Sequence, residues 1–352
     1  MRVASIVMNM VAIAVTLATL LSSASAAMYS VNDLGALPAY GGGSANDAGQ
    51  VAGMLVNGHA FVYTPGMGAV DIGTLRGEAL PLAINNAGQV AGHANVSGVE
   101  HAFLYTPGAG MLDLGLCVPA LVSMNQAGQV TGQAAGTHVG SAFVYTPGSG
   151  TVYLSVPDGA CYAHAISDSG QVVGQYCSVS TSNKTRAFSW PPGSGMIDLG
   201  TLGGDYSSAW AANNAGQVAG WSTLSDNVTV AAFLYTPGVG MVNIEVWGGA
   251  SGIKGMNNSG QVVGATGAGA DERGFVYTAG SGMALLDPLP GFASSAALHI
   301  SDSGYVIGIS FDANGAQHAV RWDFVPEPPS LLALATALGA FGAAVRRRRR
   351  VR

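Results

Sequence analysis

Between residues 29 and 322, apolar residues come in short blocks of strand length, each stopped by Gly, Asn or Pro, and no block is long enough for a helix. The blocks recur in a fixed order. A phrase of Asn or Ser, two further residues, Gly, usually Gln-Val, one residue and Gly appears seven times, at 46–53, 85–92, 125–132, 167–174, 213–220, 257–264 and 301–308. A second phrase follows each copy, typified by His59-Ala60-Phe61-Val62-Tyr63-Thr64-Pro65-Gly66. A third, typified by Met111-Leu112-Asp113-Leu114-Gly115, ends the unit.

Each unit therefore holds four runs of strand length: the run before the Asn, the Gln-Val run, the Phe-x-Tyr run and the Asp-Leu run. Asn-Asn-Ala-Gly suits a tight hairpin because Asn and Gly tolerate positive φ, and Pro-Gly-x-Gly turns the chain between the last two runs. Along the Phe-x-Tyr run, Ala60 and Val62 face one side and Phe61 and Tyr63 the other. That strand is expected to be buried on both faces, as when sheets stack on sheets.

Four strands in about 40 to 45 residues is the size of a propeller blade. The last unit stops at Trp322 without its third phrase, and the missing piece stands at the other end of the chain as Val31-Asn32-Asp33-Leu34-Gly35. The fold class expected is all-β: a seven-bladed β-propeller of four-stranded blades over residues 28–324, closed by an N-terminal strand that completes the last blade. An open solenoid is the alternative. The phrases resemble the HAF extracellular repeat family, named for the motif at His59-Ala60-Phe61 and His101-Ala102-Phe103. The resemblance covers residues 31–322 and implies export and repetition, with no defined activity.

The two ends differ from the repeats. Arg2, an apolar run over 6–21 and Ala24-Ser25-Ala26 read as a signal peptide, residues 1–27, in a signal helix cut after Ala26 or Ala27. Residues 325–352 hold Val325-Pro326-Glu327-Pro328-Pro329, an uncharged apolar stretch to Val345, then Arg346, Arg347, Arg348, Arg349, Arg350 and Arg352. The stretch is expected to form a short transmembrane helix, with the arginines as a cytoplasmic stop-transfer signal. This order resembles the PEP-CTERM sorting signal of Gram-negative bacteria, with Pro326, Glu327 and Pro328 matching its motif. The resemblance implies processing partners, a signal peptidase and an exosortase-type enzyme, a transient inner-membrane anchor, and release as a cell-surface or biofilm-matrix protein.

Charge narrows the partners. Only 9% of residues are charged, and without Arg2 and the six tail arginines six basic residues face 19 acidic ones, a net charge near −13. Nucleic acid is excluded as a partner by that balance, and bulk attraction to acidic polysaccharide is disfavoured unless divalent cations bridge the surfaces; exopolysaccharide or other surface proteins remain.

Chemistry is sparse. His59, His101 and His318 recur at one slot, but Ser141, Arg186, Ala231 and Arg273 occupy it elsewhere, so a polar role at the strand edge is expected. Asp71, Asp113 and Asp198 recur in the third phrase, where a buried bond to backbone would explain them. Asp47, Asp168 and Asp302 alternate with amides in the Asn turns and read as turn formers. No metal spacing, cofactor loop or catalytic motif occurs, and the chain reads as non-catalytic, a binding or structural module. A secreted glycan-active lyase or hydrolase is the alternative, through acids outside the repeat, Glu78, Glu100, Glu245, Asp271 and Glu272, converging on one mouth of the ring. Residues 175–186 and 221–229 are the expected variable binding face. Cys161 and Cys177 lie eight residues either side of Ser169, so symmetric pairing would set them opposite one another as a disulfide, with Cys117 free; three buried small side chains are the other reading.

Overall fold

The computed structural model describes residues 29–38, 43–138, 140–156, 159–178, 182, 184–244, 252–267 and 269–325. It forms two compact units, residues 31–323 and, separately, the two chain ends. Of the end unit, only 29, 30, 324 and 325 are described, and there the Tyr29 ring meets Phe324 edge-on at 5.7 Å. The signal segment, Pro326-Glu327-Pro328, the apolar tail and Arg346 to Arg350 lie outside the described residues. No helix among the described residues is long and apolar enough to cross a membrane.

Residues 31–323 are strands joined by tight turns. A representative unit runs Gly203–Ala212, Val218–Leu224, Val230–Thr236 and Gly240–Asn243, paired antiparallel in that order. The first glycine of each Asn phrase makes this turn possible: Gly216 has φ +81°, a backbone conformation that residues with a Cβ rarely adopt. The third strand is buried on both faces as expected. Ala60 and Phe61 have no exposed surface, and Phe61 packs with Val51 and Ile307 while Ala60 packs with Val90 and Phe103 of the following unit. One strand therefore contributes to two successive cores.

The ends of the repeat region meet. Strand Tyr29–Ala36 pairs with Gln317–Phe324, completing the sheet of the last repeat. The closing sheet reproduces a contact seen inside earlier repeats. His318 Nδ1 lies 3.0 Å from Asp33, as His59 Nδ1 lies 2.9 Å from Asp71 and His101 Nδ1 2.8 Å from Asp113. Val320 stands where other repeats have phenylalanine, and the fully buried Trp322 reaches across Gly308 to fill that volume, as Phe233 does across Gly220.

Two expectations change. Four-stranded sheets are not all separate: Gly110–Met124 is one 15-residue strand that ends one repeat and begins the next, fusing them into a seven-stranded sheet. The segment after Gly115 carries no Gly-Gly or Thr-Leu-Gly turn of the kind that breaks the chain after Gly200. The second correction concerns Cys161 and Cys177. The strands do not pair symmetrically about Ser169, because a bulge between Ala163 and Ala165 shifts the register and sets Cys161 opposite Tyr176, with Cys177 opposite Ala160. All three cysteines are free; burial pushes the Cys117 thiol up to about 12, and Cys161 Sγ donates to the Leu154 carbonyl.

Candidate functional site

The first strands of the repeats surround a central cavity of about 430 Å³, and the Asn turns rim one mouth of it. The rim is a chain of hydrogen bonds. Asn213 is buried; its Oδ1 accepts from Ala215 N and Gln217 N, and its Nδ2 donates to Gln217 Oε1 and, at 3.1 Å, to the Asn257 carbonyl of the next repeat. The Gln of the phrase passes the network on, with Gln217 Nε2 donating to Thr236 Oγ1. Asn46, Asn125 and Asn257 reach the next repeat's carbonyl at 2.9, 3.0 and 3.0 Å.

The variable residue after the Asn has a second role that turn formation alone does not supply. Except at Asp47, the side chain accepts a backbone N–H from the preceding repeat: Asn86 Oδ1 from Asp47 N, Gln126 Oε1 from Asn86 N, Asp168 Oδ1 from Gln126 N and Asp302 Oδ1 from Asn258 N, all at 2.8 to 2.9 Å. Asp, Asn and Gln are interchangeable there because the bond needs only a side-chain oxygen. Two turns begin with Ser and lack the amide, and a histidine near each bonds the following or first repeat at a different atom. His164 Nδ1 donates to the Ala209 carbonyl at 2.9 Å, and His299 Nε2 lies 2.8 Å from Asp47 Oδ1. Tyr305 OH also donates to the Asp47 carbonyl, which joins the last turn to the first.

Below the rim, a bulge in the first strand ejects one residue from the ladder. The pairing skips Leu82, His164, Trp210, Lys254 and Leu298, each three residues before its Asn or Ser. All five line the cavity. The second glycine of the phrase sits opposite: a Cβ on Gly220 would lie 2.0 Å from Ser208 O, and one on Gly174 1.9 Å from Tyr162 O. Close approach of the bulged backbone, with no call for positive φ, is what requires glycine there.

The ejected residues divide the cavity wall. Leu82 and Leu298 are aliphatic, whereas His164, Trp210 and Lys254 follow one another on consecutive first strands. His164 stacks on Trp210 with ring centroids 4.3 Å apart, and Trp210 remains 39% exposed. Burial lowers the His164 pKa from 6.5 to about 4, so its ring is neutral, with Nδ1 carrying the proton. The His299 hydrogen bond holds the Asp47 carboxyl below its usual range.

Elsewhere the sequence candidates separate. Asp71, Asp113 and Asp198 do accept backbone N–H bonds, from Gly73, Gly115 and Gly200 at 2.8, 2.8 and 2.9 Å, but they are exposed rather than buried. Asp198 also lies beside Tyr176, whose hydroxyl burial and that charge push up to about 12. Glu78 and Glu100 share a pocket with His93, and Glu100 Oε2 is 2.7 Å from His93 Nδ1. Asp271 and Glu272 belong to a different repeat, Glu245 is not among the described residues, and none of the described four lines the central cavity. Of the expected binding loops, 221–229 is bound to itself: Asp226 accepts from Val228 N and Thr229 N, and Asn227 pairs with Asp205, which also holds Lys184 at 2.6 Å. Among the described residues no group of three potential metal ligands occurs.

No family model and no curated protein matches the chain. Solved structures do. A streptogramin B lyase is 8% identical, covers 85% of this chain with 100% of its own and has a TM-score of 0.58. A virginiamycin B lyase from Staphylococcus aureus is 8% identical, with 84% and 100% covered and a TM-score of 0.58. The fold is a β-propeller. At such identity the likeness extends to the fold alone, and the polar contacts of this propeller are its own.

Proposed function

We propose that this chain is an exported, seven-bladed propeller that serves as a non-catalytic binding module on the cell surface or in the biofilm matrix, after release by an exosortase-type enzyme. The observation that carries the reading is how the repeated polar residues are used. The Asn and rim side chains join blade to blade, the Gln and Thr bond one another inside a blade, and three repeated histidines pair with aspartates inside single sheets. What is left for a ligand is the set of side chains that the bulges turn into the cavity. The net charge near −13 and the resemblance of residues 325–352 to a sorting signal support a place outside the cell.

Localisation tests the reading. Alanine at Pro326, Glu327 and Pro328, or loss of the sorting enzyme, is expected to leave the chain in the inner membrane; unchanged release would refute the sorting half. A glycan and surface-protein screen, with and without Ca²⁺, tests the binding half. The pocket of Glu78, Glu100 and His93 favours a second reading, a glycan-active enzyme. Glycan cleavage abolished by Glu100→Gln would establish it over the first.

A further inference from the structure

The rim and the cavity wall are each unequal around the ring, and their inequalities coincide. Most rim side chains use both polar ends: Asn86 Nδ2 donates to Asp47 Oδ2 at 2.6 Å and Asn258 Nδ2 to Asp302 Oδ2 at 2.8 Å. Gln126 Nε2, Asp168 Oδ2 and Asn214 Nδ2 have no such partner among the described residues, although the oxygens of all three side chains accept neighbouring backbone bonds. These three are consecutive in the ring and exposed. They stand on the repeats whose first strands carry, or directly precede, His164 and Trp210, with Lys254 on the next. The structure thus gathers two amide donors, one carboxylate oxygen, an exposed indole and one ammonium on one side of the cavity. Lys254 is the only Lys or Arg lining it among the described residues, and it has no ion-pair partner there.

We infer that this arc is a saccharide site that takes a short glycan ending in an acidic sugar. The indole of Trp210 offers a flat apolar face to the C–H side of a sugar ring, with His164 fixing its orientation. Gln126, Asp168 and Asn214 supply the mixed donors and acceptor that match neighbouring hydroxyls. Lys254 receives the carboxylate. Its Cε lies 3.8 Å from where a Cβ on Gly252 would be, so the side chain leans along its own strand towards Gly252. A cavity of about 430 Å³ accommodates one or two sugar residues. The rim carboxylates disfavour an extended polyanion and leave a chain end as the occupant. An aromatic carboxylate would satisfy Trp210 and Lys254 but leave the three rim groups without partners.

This inference rests on the binding-module reading but is tested apart from it. Calorimetric titration of the full chain would use digalacturonate, neutral digalactose and benzoate as probes. Digalacturonate is expected to bind with Kd on the order of 0.1 to 1 mM, about tenfold more tightly than digalactose. Trp210→Ala should weaken both sugars by at least about tenfold, and Lys254→Met should remove the preference for the acid while digalactose still binds. Cooperative thermal unfolding close to the parent's confirms that both variants fold. No binding of either sugar, equal binding of the two, tighter binding of benzoate, or a Trp210→Ala variant that binds like the parent would each overturn the site. A glycan-screen hit insensitive to Trp210→Ala would overturn this site while leaving the binding module standing, whereas failed sorting with intact sugar binding would do the reverse.

Discussion

Two layers of the same first strands follow opposite rules. At the rim, Asn stands in five of the seven turns and its contacts are repeated with it, because Asn213 and its equivalents carry bonds between neighbouring repeats. Three residues upstream, at the bulge, the side chain changes from Leu82 to His164, Trp210, Lys254 and Leu298 while the backbone stays the same. Geometry is held constant by one layer so that chemistry can vary in the other. Substitution at the rim should therefore cost stability, and substitution at the bulge should cost binding.

The largest expected effect is on the glycine that accommodates the bulge. Gly220→Ala places a Cβ against Ser208 O and should destabilise by roughly 3 to 5 kcal/mol, or prevent folding, in denaturant titration. A loss under about 1 kcal/mol would mean that the bulge is not fixed by this contact. Next comes the rim. Asn213→Ala leaves the Asn257 carbonyl and Gln217 Oε1 without their donor and should cost about 2 to 3 kcal/mol, with Asn213→Ser intermediate, since Ser167 and Ser301 fill the same position. Equal losses for Ala and Ser would break the equivalence of the two turn types.

Acid should single out His164, a bulge residue that also bonds the next repeat. His164 has its folded pKa lowered to about 4, so the unfolded chain binds the extra proton first, and stability should fall as pH drops from about 6.5 towards 4. Asp47, also lowered, adds a further loss below the ordinary carboxylate range. Unfolding measured from pH 7 to 4 should show this slope, and His164→Gln should flatten it; an unchanged slope would place the titrating group elsewhere. The smallest effect on stability is expected at the bulge itself. Trp210→Ala and Lys254→Met should shift unfolding by no more than about 0.5 to 1 kcal/mol, because both side chains are exposed to the cavity.

The repeat phrases made the strands, the turns and the closing strand legible. Phe61, Phe103 and Phe233 are buried where alternation puts them, and Val31-Asn32-Asp33-Leu34-Gly35 lies beside the last repeat. The cavity site was not legible. Its residues share no motif and look like noise before the Asn turn, and the one signal that could have found them was the invariant second glycine, which marks a backbone crossing. The segment 221–229 was an expected part of the binding face, yet Asp226 bonds its own turn and Asn227 bonds Asp205. Equal sequence distances also misled at Cys161 and Cys177, since a single skipped residue moves every later pair by one.

The sequence by itself determined the local conformations: positive φ at Gly216, strand length between punctuating residues, and an Asn whose side chain closes its own turn. Those depend on neighbours within a few positions. Only the tertiary structure decided that the same Asn spans two blades, that histidines near Ser167 and Ser301 bond neighbouring repeats, and that Gln126, Asp168, His164, Trp210, Asn214 and Lys254 share one side of a cavity. These residues come from strands about 40 residues apart, and blade packing is what places them side by side.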